Sequence, residues 1–227
     1  MARESSKTRK LWGALEQLVL QGEGIDIGCG PDPVLPGVMP FDRAQGDANE
    51  ILRHVHRQFD FVYASHCLEH MVDARKAVAQ WWQLVKPGGV LFLIVPDEDL
   101  YEQGCWPSRF NADHKWTFTI AKQRSWSPVS INLIDLARSL EGGELVDIRL
   151  FDAGYDRSLL SHGVAAGTTT RHRMNRGLAR IAYGILRVLG FDRTVLKRRF
   201  LGPIDQTTRP DTVAQIQCIV RKDAMVP

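Results

Sequence analysis

The chain has 227 residues, 44% hydrophobic and 24% charged, with a formal net charge of +3. That length suits one α/β domain with an appendage better than two full domains, and the composition is that of a soluble globular protein with a sizeable core. The charge is too small to argue for nucleic acid by itself. Leu11, Leu15, Leu18 and Val19 recur at helical spacing and predict an amphipathic helix leading into the core. A short strand follows, Gly24 to Ile27, ending in the Gly28-Cys29-Gly30 turn. Pro31, Pro33 and Pro36 leave no room for a long helix before a second strand that ends at Phe41-Asp42. Phe59 to Ala64 reads as a buried strand, followed by a helix from about Glu69 to Val85 that Lys86-Pro87-Gly88-Gly89 stops. Val90 to Val95 is a fully buried strand of parallel type. Leu133 to Leu140 fits a helix, Leu145 to Phe151 a strand, and Ala214 to Val220 the last strand.

Strands alternating with helices indicate an α/β fold with a doubly wound, mostly parallel, Rossmann-like sheet. About 60 residues separate the last two strands, where a tight hairpin would suffice. The expected organisation is a cofactor-binding core over 1–158, a basic helical insertion over 159–210, and the last strand with the C-terminus over 211–227. Cys29, Cys67, Cys105 and Cys218 form no CxxC pair and are expected to be reduced thiols of an intracellular protein. The basic start, Met1 to Lys10, is not followed by an apolar run, and Val90 to Val95 is too short to span a bilayer. A cytoplasmic location is expected.

Chemistry concentrates first at Asp26-Ile27-Gly28-Cys29-Gly30. Glycines after a strand let the backbone turn sharply and approach a ligand with no Cβ in the way. The interrupted helix beyond counts against a pyrophosphate, which gains from a long helix N-terminus. A sulfonium ligand needs that dipole much less. Asp42 closes the second strand, where a carboxylate can accept from both hydroxyls of a ribose or can simply occupy a surface turn. Asp47 in Gly46-Asp47-Ala48 could accept from an adenine amino group, and equally reads as a helix N-cap.

His66-Cys67-Leu68-Glu69-His70 matches the inverted zinc-protease pattern HxxEH. A metal would need both histidines on one helix, and His66 lies at a strand-to-helix junction, so the match reads as incidental and no metal is expected. Ligands of open α/β sheets sit beyond the carboxyl ends of the strands. Asp97 to Phe118 is therefore the place for acceptor contacts, with Asp97, Asp99, Tyr101, Glu102, Trp106, Asn111, Asp113, His114, Lys115 and Trp116. From Arg171 to Arg199, nine cations face Asp192 alone, a local +8. An apolar stripe, Leu178, Ile181, Ala182, Ile185, Leu186 and Leu189, runs through it at helical spacing. That stretch reads as a helix packed on the sheet, or as contact with an anionic membrane surface or a phosphate-bearing acceptor.

In this order, DIGCG from Asp26, Phe41-Asp42, Gly46-Asp47-Ala48, FDFVYASHCLEH from Phe59 and VKPGGVLFLIVP from Val85, the chain resembles the class I S-adenosylmethionine (SAM)-dependent methyltransferases. It is most similar to their type 11 branch, in particular to small bacterial members from surface-polysaccharide gene clusters. The resemblance is close over roughly residues 22 to 100. It implies that Asp26, Gly28, Cys29 and Gly30 border the methionine part of SAM. Asp42 would hold the ribose, Arg43 flank the adenine, Asp47 and Ala48 meet its edge, and Ser65 and His66 face the sulfonium. Two departures stand out. Asp32 occupies the third glycine position of DxGxGxG, and the first crossover helix is nearly deleted.

The implied activity is methyl transfer from SAM to a hydroxyl or amine of a small or glycan-precursor acceptor. His114, then His66, is the candidate base. Two alternatives stay open: a SAM-sensing or partner-binding protein without catalysis, and a nicotinamide oxidoreductase, which the broken helix and the KPGG segment disfavour. No nucleic-acid partner is expected, association with the inner membrane face is an option of the basic stretch, and the oligomeric state is open.

Overall fold

A computed structural model describes residues 4–160 and 203–224 and, between them, only Ile185 and Val188. Its centre is a six-stranded sheet in the order β2-β1-β3-β4-β8-β7. The strands are β1 (Gly24–Ile27), β2 (Met39–Phe41), β3 (Phe59–Ser65), β4 (Val85–Pro96), β7 (Gly143–Phe151) and β8 (Gln215–Lys222). The first four are mutually parallel, and β8 runs antiparallel between β4 and β7. A separate parallel pair joins β5 (Thr117–Thr119) to β6 (Ser130–Asn132).

The near-continuous apolar runs of β3 and β4 take the middle of the sheet because both of their faces are covered. Alternate residues feed two cores. Val62, Ala64, Leu91, Leu93 and Val95 pack with Ala77, Val78 and Trp81 of helix α3 (Ala74–Gln83) and with Leu133 and Leu136 of α4 (Leu133–Arg138). Phe61, Tyr63, Phe92 and Ile94 meet Val19, Leu20 and Val34 on the other face. Trp81 and Trp82 are packing residues whose indole N–H groups donate to the carbonyls of Ala48 and Glu141, both at 3.0 Å.

Three expectations change in detail. The N-terminal helix is two short ones, α1 (Glu4–Arg9) and α2 (Ala14–Val19), because the chain breaks at Leu11–Gly13 so that Trp12 can pack on Tyr63 and Phe92. Leu18 of the supposed stripe is exposed. The helix after β3 begins at Ala74, not near Glu69, since Asp73 caps it by accepting from Lys76 N at 3.1 Å. A separate 3₁₀ turn carries Leu68–His70. Lys86-Pro87-Gly88-Gly89 lies within β4 as a bulge between the pairs Phe59–Val85 and Phe61–Val90. A Cβ on Gly89 would come within 2.7 Å of the Asp60 carbonyl oxygen.

The basic stretch from Arg171 to Arg199 and its stripe lie outside the described residues, save Ile185 and Val188, which are helical and exposed. Residues just before 211 are tied to the core. Lys7 Nζ donates to Thr207 O (2.6 Å), Gln103 Nε2 to Ile204 O (2.8 Å), and Gln206 exchanges two bonds with the Asp156 backbone. Among the described residues no helix is long and apolar enough to cross a membrane.

Candidate functional site

A crevice of about 850 Å³ opens beyond the carboxyl ends of β1, β2 and β3. Its floor is the turn after β1. Gly28 sits at φ +79° with its N–H donating to Phe41 O at 2.7 Å, and a Cβ there would lie 2.7 Å from both Cβ and Sγ of Cys67. Only glycine satisfies both demands. Gly30 (φ +52°) donates its N–H to Asp42 Oδ2 at 2.7 Å, and Arg43 N donates to Asp42 Oδ1 at 2.6 Å. Each oxygen of Asp42 thus takes one backbone donor and keeps a second lone pair.

Asp47 caps the turn that follows it. Its Oδ1 accepts from Asn49 N (2.9 Å) and Asn49 Nδ2 (2.8 Å), and these bonds hold its carboxyl below the usual range. Of the residues singled out from sequence, Gly28, Cys29, Gly30, Asp42, Arg43, Asp47, Ala48, Ser65 and His66 all line this one crevice. Asp26 does not. It lies beneath the turn, 1% exposed, where Oδ2 accepts from Val34 N at 2.6 Å and so braces the proline-rich loop. Burial pushes its carboxyl up to about 7.

His66 follows β3 in the left-handed region, φ 51°, and both ring nitrogens face acceptors. Nε2 is 3.0 Å from Gln215 Oε1, and Gln215 Nε2 donates to Thr8 Oγ1, which fixes the amide's orientation. Nδ1 is 3.5 Å from Glu69 Oε1. Against the cost of burial, Glu69 and Gln215 raise this ring to about 9. His114 stands one layer back. Its side chain is 3% exposed, its Nδ1 meets Glu102 Oε1 at 2.7 Å, and its ring is flanked by those of Tyr101 and His70.

Of the ten residues singled out between Asp97 and Phe118, only Asp113 and Lys115 reach the crevice wall. The others fold the segment itself. Asp97 caps the turn over Glu98–Glu102, Asp99 accepts from Lys122 and Trp126, and Trp116 donates to Met71 O. Sequence reasoning missed Glu4, Ser5, Asn49, Cys67, His70, Met71 and Val72 as wall residues. One signal was present for the first two. Asp32, at the third glycine position, accepts from Ser6 N (2.7 Å) and Ser6 Oγ (2.6 Å) and so holds α1 at the crevice edge.

Fold and crevice together define a Rossmann-like α/β domain with its binding cleft at the strand ends. The family described as "Methyltransferase domain" matches residues 5–127, which hold every wall residue except Glu4. The chain belongs to that family, and it is a SAM-dependent methyltransferase. A SAM-dependent methyltransferase from Archaeoglobus fulgidus has the same fold, with 16% identity, a TM-score of 0.50, and coverage of 97% of this chain and 95% of that one. An S-adenosylmethionine-dependent methyltransferase from Clostridium acetobutylicum is 11% identical over 98% of this chain and 93% of its own, with a TM-score of 0.48. Among curated proteins none matches.

Proposed function

We propose that this enzyme holds the ribose of SAM on Asp42 and passes the methyl group to a hydroxyl or amine of a small, glycan-like acceptor. The observation that carries the reading is the free lone pair on each Asp42 oxygen, beside a turn where Gly28 and Gly30 bring bare backbone to the crevice. Two adjacent acceptors suit a vicinal diol. Arg43 would flank the adenine, and Asp47 and Ala48 would meet its edge, Asp47 through the oxygen its cap leaves over. Gly28, Cys29 and Gly30 would border the methionine part, with Asp26 acting through the loop it braces. Ser65 and His66 would face the sulfonium.

SAM supplies a methyl group on a good leaving group, so the protein's part is to align the acceptor on the far side of that carbon and exclude water. Neither ring nitrogen of His66 is free to take a proton, and His114 is screened from the crevice. Positioning, not proton abstraction by either histidine, carries the transfer in this reading. The glycan-like acceptor rests on the family resemblance, and an anionic acceptor or surface on the +8 of residues 171–199.

The test is calorimetry with S-adenosylhomocysteine (SAH), the demethylated product. Asp42→Ala should weaken binding by about 1.5–3 kcal/mol, as expected for hydrogen bonds to a charged group. NADH should not bind. Unchanged SAH affinity in a folded variant removes the assignment, and SAH binding without any turnover of labelled methyl would favour a sensor.

A further inference from the structure

Behind the acceptor-side wall, three side chains converge on one point. Glu69 comes from the 3₁₀ turn after β3, His70 is its neighbour, and His114 arrives from the segment beyond β4. One donor atom from each lies within 4.8 Å of the other two. Glu69 is 0% exposed, and beyond the 3.5 Å ion-pair contact of His66 Nδ1 its carboxylate oxygens receive no hydrogen bond among the described residues. The nearest ring nitrogens are His66 Nδ1 at 3.5 Å and His114 Nε2 at 4.0 Å.

The two flanking rings are oriented from behind. His114 Nδ1 faces Glu102 Oε1 at 2.7 Å, and His70 Nδ1 faces the Asp113 carbonyl at 3.3 Å. A carboxylate and a carbonyl can only accept, so each Nδ1 carries the proton. In a neutral ring that leaves Nε2 as a bare lone pair. Metal-binding histidines are set up in this way, the second nitrogen donating to a carboxylate or a backbone carbonyl that fixes tautomer and direction.

We propose that Glu69, His70 and His114 bind a divalent transition-metal ion just behind the wall of the crevice. Two imidazoles and a carboxylate suit zinc or a neighbouring borderline ion better than magnesium or calcium, which favour all-oxygen sets. An ion about 2.1 Å from each donor holds tetrahedral ligands roughly 3.4 Å apart, so each atom moves inward by less than about 1 Å. The HxxEH pattern shares Glu69 and His70 with this site but supplies the wrong first histidine. His66 is turned to Gln215, and His114 takes its place.

This site stands apart from the cofactor assignment, and its test does not use turnover. The full chain, untagged and stripped with a chelator, is titrated with Co²⁺ and then Zn²⁺. One ion per chain is expected, with visible cobalt absorption of a nitrogen and oxygen site. His70→Ala and Glu69→Gln should each weaken binding at least 100-fold, and Glu102→Gln, which touches no ion, by about 10–100-fold. His70 is only partly buried, so its variant decides the matter if Glu69→Gln fails to fold. Absence of saturable binding overturns the proposal, as does unchanged affinity in folded His70→Ala. A sulfur-to-cobalt charge-transfer band, placing the ion on Cys29 or Cys67, overturns it too. SAH titration of the stripped protein tells a missing metal site from a failed cofactor reading.

Discussion

At the scale of single residues, the crevice is legible in sequence wherever a side chain acts through its own stretch of backbone. Asp42 and Asp47 were identifiable because each closes a strand or starts a turn, and there each accepts from a backbone N–H one or two residues on. Glu4, Cys67 and His70 were not, because their place depends on distant segments meeting. Gly28 combines the two cases. Its positive φ is a local demand that Asp-Ile-Gly announces, whereas its contact with Cys67 is tertiary. The two parts can be separated by mutation. An L-residue at that φ costs about 1–2 kcal/mol, and the overlap adds roughly 1–3. Gly28→Ala should therefore lose about 2–5 kcal/mol in urea denaturation. In a Cys67→Gly background the same substitution should cost about 1–3 kcal/mol less. Equal penalties in both backgrounds would mean that the neighbouring backbone relieves the overlap unaided.

At the scale of elements, the six strands of the main sheet were read well, β5 and β6 were not read, and helix limits were read poorly. A buried parallel strand is a dense apolar run, as in β4, and it signals itself whatever its neighbours are. The start of α3 depended on one cap, Asp73, hidden within a longer stretch of helical character. The N-terminal helix failed as a single unit because Trp12 is drawn onto Tyr63 and Phe92, a contact that periodicity cannot register. The departure at Asp32 now has a physical reason. Where a third glycine would only allow close approach, this carboxylate grips Ser6, while Arg9 donates to Pro33 O (2.9 Å) and Val34 O (2.8 Å). Helix α1 is six residues long and could not persist alone. Asp32→Ala should release it from the crevice edge, where Glu4 and Ser5 stand. Amide exchange over residues 4–9 should quicken and SAH affinity should fall by roughly 3–10-fold, the loss of one or two modest hydrogen bonds. Unaltered exchange in that peptide would show that Arg9 suffices.

At the scale of the whole molecule, the sheet carries a buried acid at its heart, and stability should report it. Asp26 is the third residue of β1, paired with Pro40 on one side and Tyr63 on the other. Burial raises its carboxyl from 3.8 to about 7, Asp32 and Asp42 add to the rise, and Val34 N and Arg9 oppose it. Asp97 is likewise raised by burial, to about 6. A carboxyl with a raised folded value binds its proton in the native state while the unfolded chain has already released it. Between about pH 4 and 7 the native state therefore holds the extra proton, and stability falls as pH rises, by up to about 1.4 kcal/mol per unit for one such group. Carboxyls held below their usual range, Glu16, Asp47, Asp60 and Asp73, act in the opposite sense and lose their contribution only toward more acid pH. The chain should thus be most stable on the acid side of neutrality. Asp26→Asn removes one titration and leaves the rest, so the comparison isolates it. Urea denaturation of both proteins at pH 5, 6, 7 and 8 should show the wild type losing stability faster than the variant as pH rises to about 7. Any constant cost of burying the amide displaces the variant equally at every pH and leaves this difference in slope untouched. Parallel profiles would mean that Asp26 is ionised throughout, and that Arg9 and the Val34 N–H outweigh its burial.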